Sequence, residues 1–209
     1  DLDRAGEVNL FDDDEILTGN LLGSIRDRAA AIAPGEALQL PWISVWDGLD
    51  RYRDDDSHWS RSQVHVVFAL TPQTRYRAAG DGYQHHARRP RGNTGRVLTP
   101  IAAQGGGGLL HLQFASSARL RAKQALYKMG EVLRWPGRQT PDQIDRMYDG
   151  TTLDVPRHTS PIPEAWWAGV ARAHIDVGAE PWQSAEVRRL WAEHGPERFA
   201  GLDLYGCER

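Results

Sequence analysis

Val8-Asn9-Leu10-Phe11-Asp12-Asp13-Asp14-Glu15-Ile16-Leu17 joins an apolar run to four successive carboxylates, and its reading decides the fold. Glu7 to Phe11 has the composition of a buried strand, and Gly19 to Ile32 has the apolar spacing of an amphipathic helix. The order is strand, acidic turn, helix. Units of this kind build α/β folds, whose ligands collect at the carboxyl ends of strands. Crowded carboxylates repel one another unless a cation neutralises them. Magnesium and manganese prefer carboxylate oxygens and leave coordination positions for phosphate oxygens. Asp and Glu also favour the first turn of a helix, so a solvated helix cap accounts for the same four residues.

Outward from this unit, Ala37-Leu38-Gln39-Leu40-Pro41-Trp42-Ile43-Ser44-Val45-Trp46 reads as a strand built around one proline. Asp47 to Ser57 reads as a polar, acidic loop. Ser62 to Leu70 is the next strand, with Val64, Val66 and Phe68 on one face and His65 and Val67 on the other. A short strand over Arg75 to Ala79 leads into Gly80 to Gly95, which is rich in glycine, histidine, arginine and proline and has no period. That composition predicts a long functional loop. Gln104-Gly105-Gly106-Gly107-Gly108 predicts a flexible linker, since no lysine or serine follows as a Walker-type phosphate loop requires. Leu109-Leu110-His111-Leu112-Gln113-Phe114 predicts a short buried strand, and Ala118 to Arg134 a helix. Further helices are expected over Pro141 to Tyr148, Pro163 to Ala173 and Trp182 to His194, with Trp166, Trp167, Trp182 and Trp191 as packing anchors. The chain thus reads as an α/β core over residues 1–138 and a helical C-terminal extension over 139–209 packed on it.

The 209 residues suffice for one sizeable core. A net charge of −3 and a pI near 6.3 give no electrostatic case for nucleic acid as a general partner. The apolar runs are too short to span a bilayer and no signal-peptide pattern opens the chain. The expectation is a cytoplasmic protein without a transmembrane segment, compatible with peripheral membrane contact. Cys207 is the only cysteine, which excludes an intrachain disulfide and a cysteine-based zinc cluster.

His111 lies in an apolar strand with no other ionisable group. Taken alone, it reads as a core histidine. Together with Asp12 and Asp14 from another strand end, it can bind one metal while leaving room for phosphate oxygens. His85 and His86 stand beside Arg88, Arg89 and Arg91, whose guanidinium forks suit phosphates, although a basic surface loop has the same composition. Lys123 and Tyr127 share a helix face with Arg119 and Glu131, and that face can place a cation near the site or form an ordinary charged surface. His65 reads as a sheet histidine.

These pieces resemble the C-terminal part of GT-A-type glycosyltransferases, particularly the family 2-like enzymes. Phe11-Asp12-Asp13-Asp14-Glu15-Ile16 looks like that family's DxD segment with its trailing Glu, and Leu110-His111-Leu112-Gln113-Phe114 precedes a helix bearing Lys and Tyr. Pro41-Trp42, Trp46, His86 and Arg89-Pro90 occur between them in the family's order. The resemblance covers most of residues 6–138. It implies a partial GT-A-like mixed sheet flanked by helices, beginning just before the DxD motif and lacking the N-terminal nucleotide-binding half. It also implies metal-dependent, inverting transfer of a sugar from a nucleotide-sugar donor to a saccharide or other hydroxyl acceptor. Carried over by residue, Asp12, Asp14 and His111 bind a divalent cation, manganese or magnesium. Asp12, Asp14, His86, Arg89 and Lys123 hold the sugar-nucleotide diphosphate. A carboxylate must deprotonate the acceptor, and loop position leaves Asp47, Asp50 and Asp81 as candidates. Two other readings stand beside this one: a metal-dependent nuclease or phosphohydrolase using Asp12, Asp14, His85 and His86, and a non-catalytic domain whose tryptophan-rich tail docks a partner.

Overall fold

A computed structural model describes residues 7–9, 14–75, 88–99 and 106–209. The order begins with β1 (Glu7–Asn9), β2 (Glu15–Leu17), a 3-10 turn at Gly19–Leu21 and α1 (Leu22–Ala30). Then come β3 (Ala37–Trp46), β4 (Arg51–Arg53), α2 (His58–Arg61), β5 (Gln63–Ala69), β6 (Val97–Leu98) and β7 (Leu109–Phe114). The C-terminal part holds α3 (Ser117–Arg134), α4 (Pro141–Thr152), β8 (Thr159–Pro161) and α5 (Trp182–His194). The result is an α/β fold with one mixed sheet, flanked by helices.

The long strand β3 organises the sheet because its two halves take different neighbours. Ala37 to Pro41 pairs antiparallel with β5, which in turn pairs with β1; Trp42 to Trp46 pairs parallel with β7. Pro41, which has no N–H to give a ladder, lies where the pairing with β5 ends and that with β7 begins. The far edge of β7 is covered by β2, antiparallel, with Glu15 opposite His111. Such a change of neighbours is where an α/β sheet opens a crevice.

Both faces are covered near β3. Leu38, Leu40, Val64, Val66 and Leu109 pack with Leu21, Ala29 and Ile32 from the α1 segment. Ile43, Val45, Leu110 and Leu112 pack with Ile162, Trp166 and Trp167. A third cluster joins Ala125 and Met129 of α3 to Val187 and Leu190 of α5 and to Phe199. At its rim the fully buried Lys128 donates to Asp149 and to the Asp203 carbonyl, with Asp145 at 2.8 Å. A capping box, Thr140 with Gln143, starts α4.

Several expectations need correction. The acidic run does not lead directly into a helix: Glu15 opens strand β2, because the edge of β7 must find hydrogen-bond partners. The loop over 47–57 contains β4, and the expected helical extension contains β8, which pairs with β4 and so joins residues 139–209 to the sheet. Pro163 to Ala173 forms two 3-10 turns, at Glu164–Trp167 and Arg172–His174, separated by Gly169 at φ 78°. Adjacent Trp166 and Trp167 are both buried there, whereas Trp182 is 62% exposed and is no packing anchor. The glycines expected to form a flexible linker are, at Gly107 and Gly108, buried and closely packed. A Cβ on Gly108 would stand 2.3 Å from the Pro41 carbonyl oxygen, and Gly108 N–H donates to Thr18 Oγ1. No helix among the described residues is long and apolar enough to cross a membrane.

Candidate functional site

The candidate site lies where the turn before β2 meets the carboxyl half of β7. The Leu112 N–H donates to the Asp14 carbonyl at 2.8 Å, extending the β2–β7 ladder by one residue and fixing Asp14 beside His111. His111 Nε2 stands 3.5 Å from Asp14 Oδ2, and Lys123 Nζ, arriving from α3, donates to the same oxygen at 2.9 Å. Asp14 is 8% exposed and His111 3%. Burial pushes the Asp14 carboxyl pKa up, but its hydrogen bond and charge pairing with His111 and with Lys123 outweigh burial and hold it far below the usual carboxylate range. The carboxylate is ionised at any physiological pH.

A second charge pair adjoins the first. Glu15, cross-strand from His111, receives both arms of Arg88: Nη1 donates to Oε2 at 2.7 Å and Nη2 to Oε1. The Arg88 guanidinium lies 5.6 Å from the centroid of Trp42, and the Trp42 ring stacks on His111 at 4.2 Å and 19°. Lys123, Asp14, His111, Trp42, Arg88 and Glu15 therefore form one contiguous group. Its charges alternate in sign, so each buried carboxylate has a cationic partner beside it.

Three polar atoms in this group are buried and lack hydrogen-bond partners among the described residues: the Trp42 indole Nε1, Asp14 Oδ1 and His111 Nδ1. An orphaned carboxylate oxygen is costly and calls for a donor or a cation. A carboxylate oxygen suits manganese or magnesium, which complete their shells with water and phosphate oxygens, whereas an imidazole suits transition metals and so favours manganese of the two. Among the described residues, no group of three or more His, Cys, Asp or Glu side chains comes together as a metal site. Asp12, the third expected ligand, lies outside the described residues, as do His85, His86 and Asp81.

Arg89, Asp47 and Asp50 fall in two other places. Arg89 braces its loop: Nη2 donates to the carbonyls of Gly95 and Gly35, and Nε to Asn93 Oδ1. Asp47 and Asp50 stand past the end of β3, where Asp50 is ion-paired with Arg172. Asp47 is exposed, adopts φ 48°, and donates its N–H to the Phe114 carbonyl, so it sits at the joint carboxyl edge of β3 and β7. A non-glycine residue in the left-handed region at a strand end is a feature that functional sites often hold under strain.

The face expected from Arg119 to Glu131 divides. Lys123 turns to Asp14, while Glu131 accepts a buried hydrogen bond from Tyr148 of α4 at 2.8 Å. Burial and that bond push the Tyr148 hydroxyl pKa well above its ordinary value. His65 stays in the sheet, half-buried, where burial and the Arg89 charge lower its pKa. Glu15 and Trp42 are members of the cluster to which sequence reasoning assigned no chemical role, and Arg88, one of the loop arginines read as suited to phosphates, pairs with Glu15. The available signal was the place of Glu15 within the acidic run and of Arg88 within the arginine-rich loop. Comparison of the chain with protein-family models, curated proteins and solved structures returns no match.

Proposed function

We propose that this protein is a metal-dependent glycosyltransferase that moves a sugar from a nucleotide-sugar donor to a hydroxyl acceptor by in-line displacement. The observation that carries the reading is the meeting of Asp14 and His111, 97 positions apart in the chain, with one buried unpartnered atom on each. In this reading Asp14 and His111 hold a divalent cation, joined by Asp12. When bound, the cation stabilises negative charge on the departing diphosphate. Lys123, held by Asp14, and Arg88, held by Glu15, bring positive charge to the same cluster, which suits phosphate oxygens. Asp47 serves as the base, since it alone of the described candidates combines an exposed carboxylate at the strand edge with freedom from the Arg172 pair.

Calorimetric titration with manganese and a panel of nucleoside diphosphates tests this directly. Binding of a nucleoside diphosphate that needs manganese, and that falls at least tenfold in Asp14→Ala and in His111→Ala, is expected. Equal indifference to every nucleotide, with or without manganese, would remove the proposal.

A further inference from the structure

The carboxyl ends of β3 and β7 carry a group of aromatic rings that phosphate binding leaves unused. Phe114, 4% exposed, forms its floor. Trp46 stacks on Phe114 at 5.6 Å and 27°, and Trp59 of α2 meets the same ring edge-on at 5.2 Å and 74°. Both tryptophans are only half-buried, so each keeps part of its surface toward solvent. The exposed His58 ring lies 4.4 Å from that of Trp59. Asp47 follows Trp46 directly, and the Phe114 ring lies 6.4 Å from His111, so the group adjoins the Asp14 cluster.

We infer that Trp46, Trp59 and Asp47 form the acceptor subsite and that the acceptor is a neutral saccharide, an inference that rests on the transferase reading above. A pyranose has a C–H face that packs against an aromatic ring and a rim of hydroxyls that needs hydrogen-bond partners. The tryptophans supply the first, while the Asp47 carboxylate and the His58 ring supply the second. A bare carboxylate at this edge accepts a hydrogen bond from a hydroxyl but repels a phosphate-bearing acceptor. In the transfer the acceptor O–H bond breaks and its proton passes to Asp47. The freed oxygen bonds to the anomeric carbon as the bond from that carbon to the diphosphate oxygen breaks, its electron pair leaving with the diphosphate.

The test titrates the full chain with neutral gluco-, manno- and N-acetylglucosamine oligomers. Indole N–H signals are followed by NMR and affinity by calorimetry, and manganese with a nucleoside diphosphate is titrated into parallel samples. At least one saccharide should bind, moving the signals of Trp46 and Trp59 but not those of Trp182 or Trp191. Trp59→Ala should weaken that binding about tenfold or more and Trp59→Phe by no more than about threefold, with nucleotide affinity unchanged in both. The proposal is overturned if no saccharide binds, if the shifts fall on other tryptophans, or if affinity survives Trp59→Ala. Capture of vesicles carrying a polyprenyl phosphate without binding of any free saccharide also overturns it. Should Trp59→Ala fail to fold, the signal shifts in the unaltered chain and the affinity of Trp46→Ala, expected to fall about tenfold, decide. Nucleotide binding without saccharide binding defeats this inference alone, whereas saccharide binding without nucleotide binding defeats the donor assignment alone.

Discussion

Replacing Lys123 with methionine keeps most of the apolar stem and removes the ammonium that meets Asp14 Oδ2 at 2.9 Å. The two side chains are 19% and 10% exposed, so solvent screens them far less than a surface pair. Unit charges about 3 Å apart attract by about 6 kcal/mol at an effective dielectric constant of about 20. Desolvation takes back several kcal/mol per ion, and charge-assisted hydrogen bonds contribute about 1.5–3 kcal/mol net. Because Asp14 Oδ1 already lacks a partner, the variant leaves a buried carboxylate held only by His111. The expected destabilisation is about 2–4 kcal/mol, short of the largest costs because His111 remains. Urea denaturation of the wild type, Lys123→Met, Asp14→Asn and the double variant gives the coupling energy, expected near 2 kcal/mol. Manganese at about a hundredfold excess over its Kd should return about 2.7 kcal/mol to Lys123→Met by binding only the folded state. A coupling below about 0.5 kcal/mol refutes Lys123 as the neutralising cation. Equal stabilisation by manganese in Asp14→Ala refutes Asp14 as a metal ligand.

Three further outcomes are expected. Because the folded-state pKa of Asp14 is depressed, its contribution to stability is present above the unfolded value near 3.9 and is lost as pH falls toward the folded one; thermal melts should show a steeper decline below about pH 4 in the wild type than in Asp14→Asn, and parallel curves would contradict the shift. Gly108→Ala should cost about 1–3 kcal/mol or more in denaturant titrations, since its Cβ would press on the Pro41 carbonyl oxygen at the change of strand neighbours; an unchanged midpoint would show that β3 and β7 can part there at no cost. Asp47→Asn tolerates the left-handed conformation and should stay within about 0.5 kcal/mol of wild-type stability. Its turnover of a nucleotide sugar should nevertheless fall by about 10²–10⁴, and full activity would eliminate Asp47 as the base.

The longer elements are legible because their signals are local. Ala37–Trp46, Leu109–Phe114 and Trp182–His194 begin and end where the apolar pattern and its flanking residues say they should. Strands β2, β4 and β8 have three residues each, too few to express a period. They exist because a neighbouring strand edge needs hydrogen-bond partners. The double tryptophan at 166–167 likewise hides its backbone state, since burial of both rings depends on what lies beneath them.

The sequence by itself determined that this chain is α/β, that an acidic run precedes Ile16 and Leu17, that His111 lies in an apolar strand, and that Lys123 stands on the helix that follows. The tertiary structure alone decided the partnerships: Lys123 with Asp14 across 109 positions, Arg88 with Glu15 across 73, and Trp42 stacked on His111. Neighbouring Asp14 and Glu15 look interchangeable in the sequence, yet each has its own cation. The reason is geometric. Periodicity records which face a residue occupies within its own element, whereas the group that neutralises a buried charge is chosen by the register between strands and by the helix laid across them.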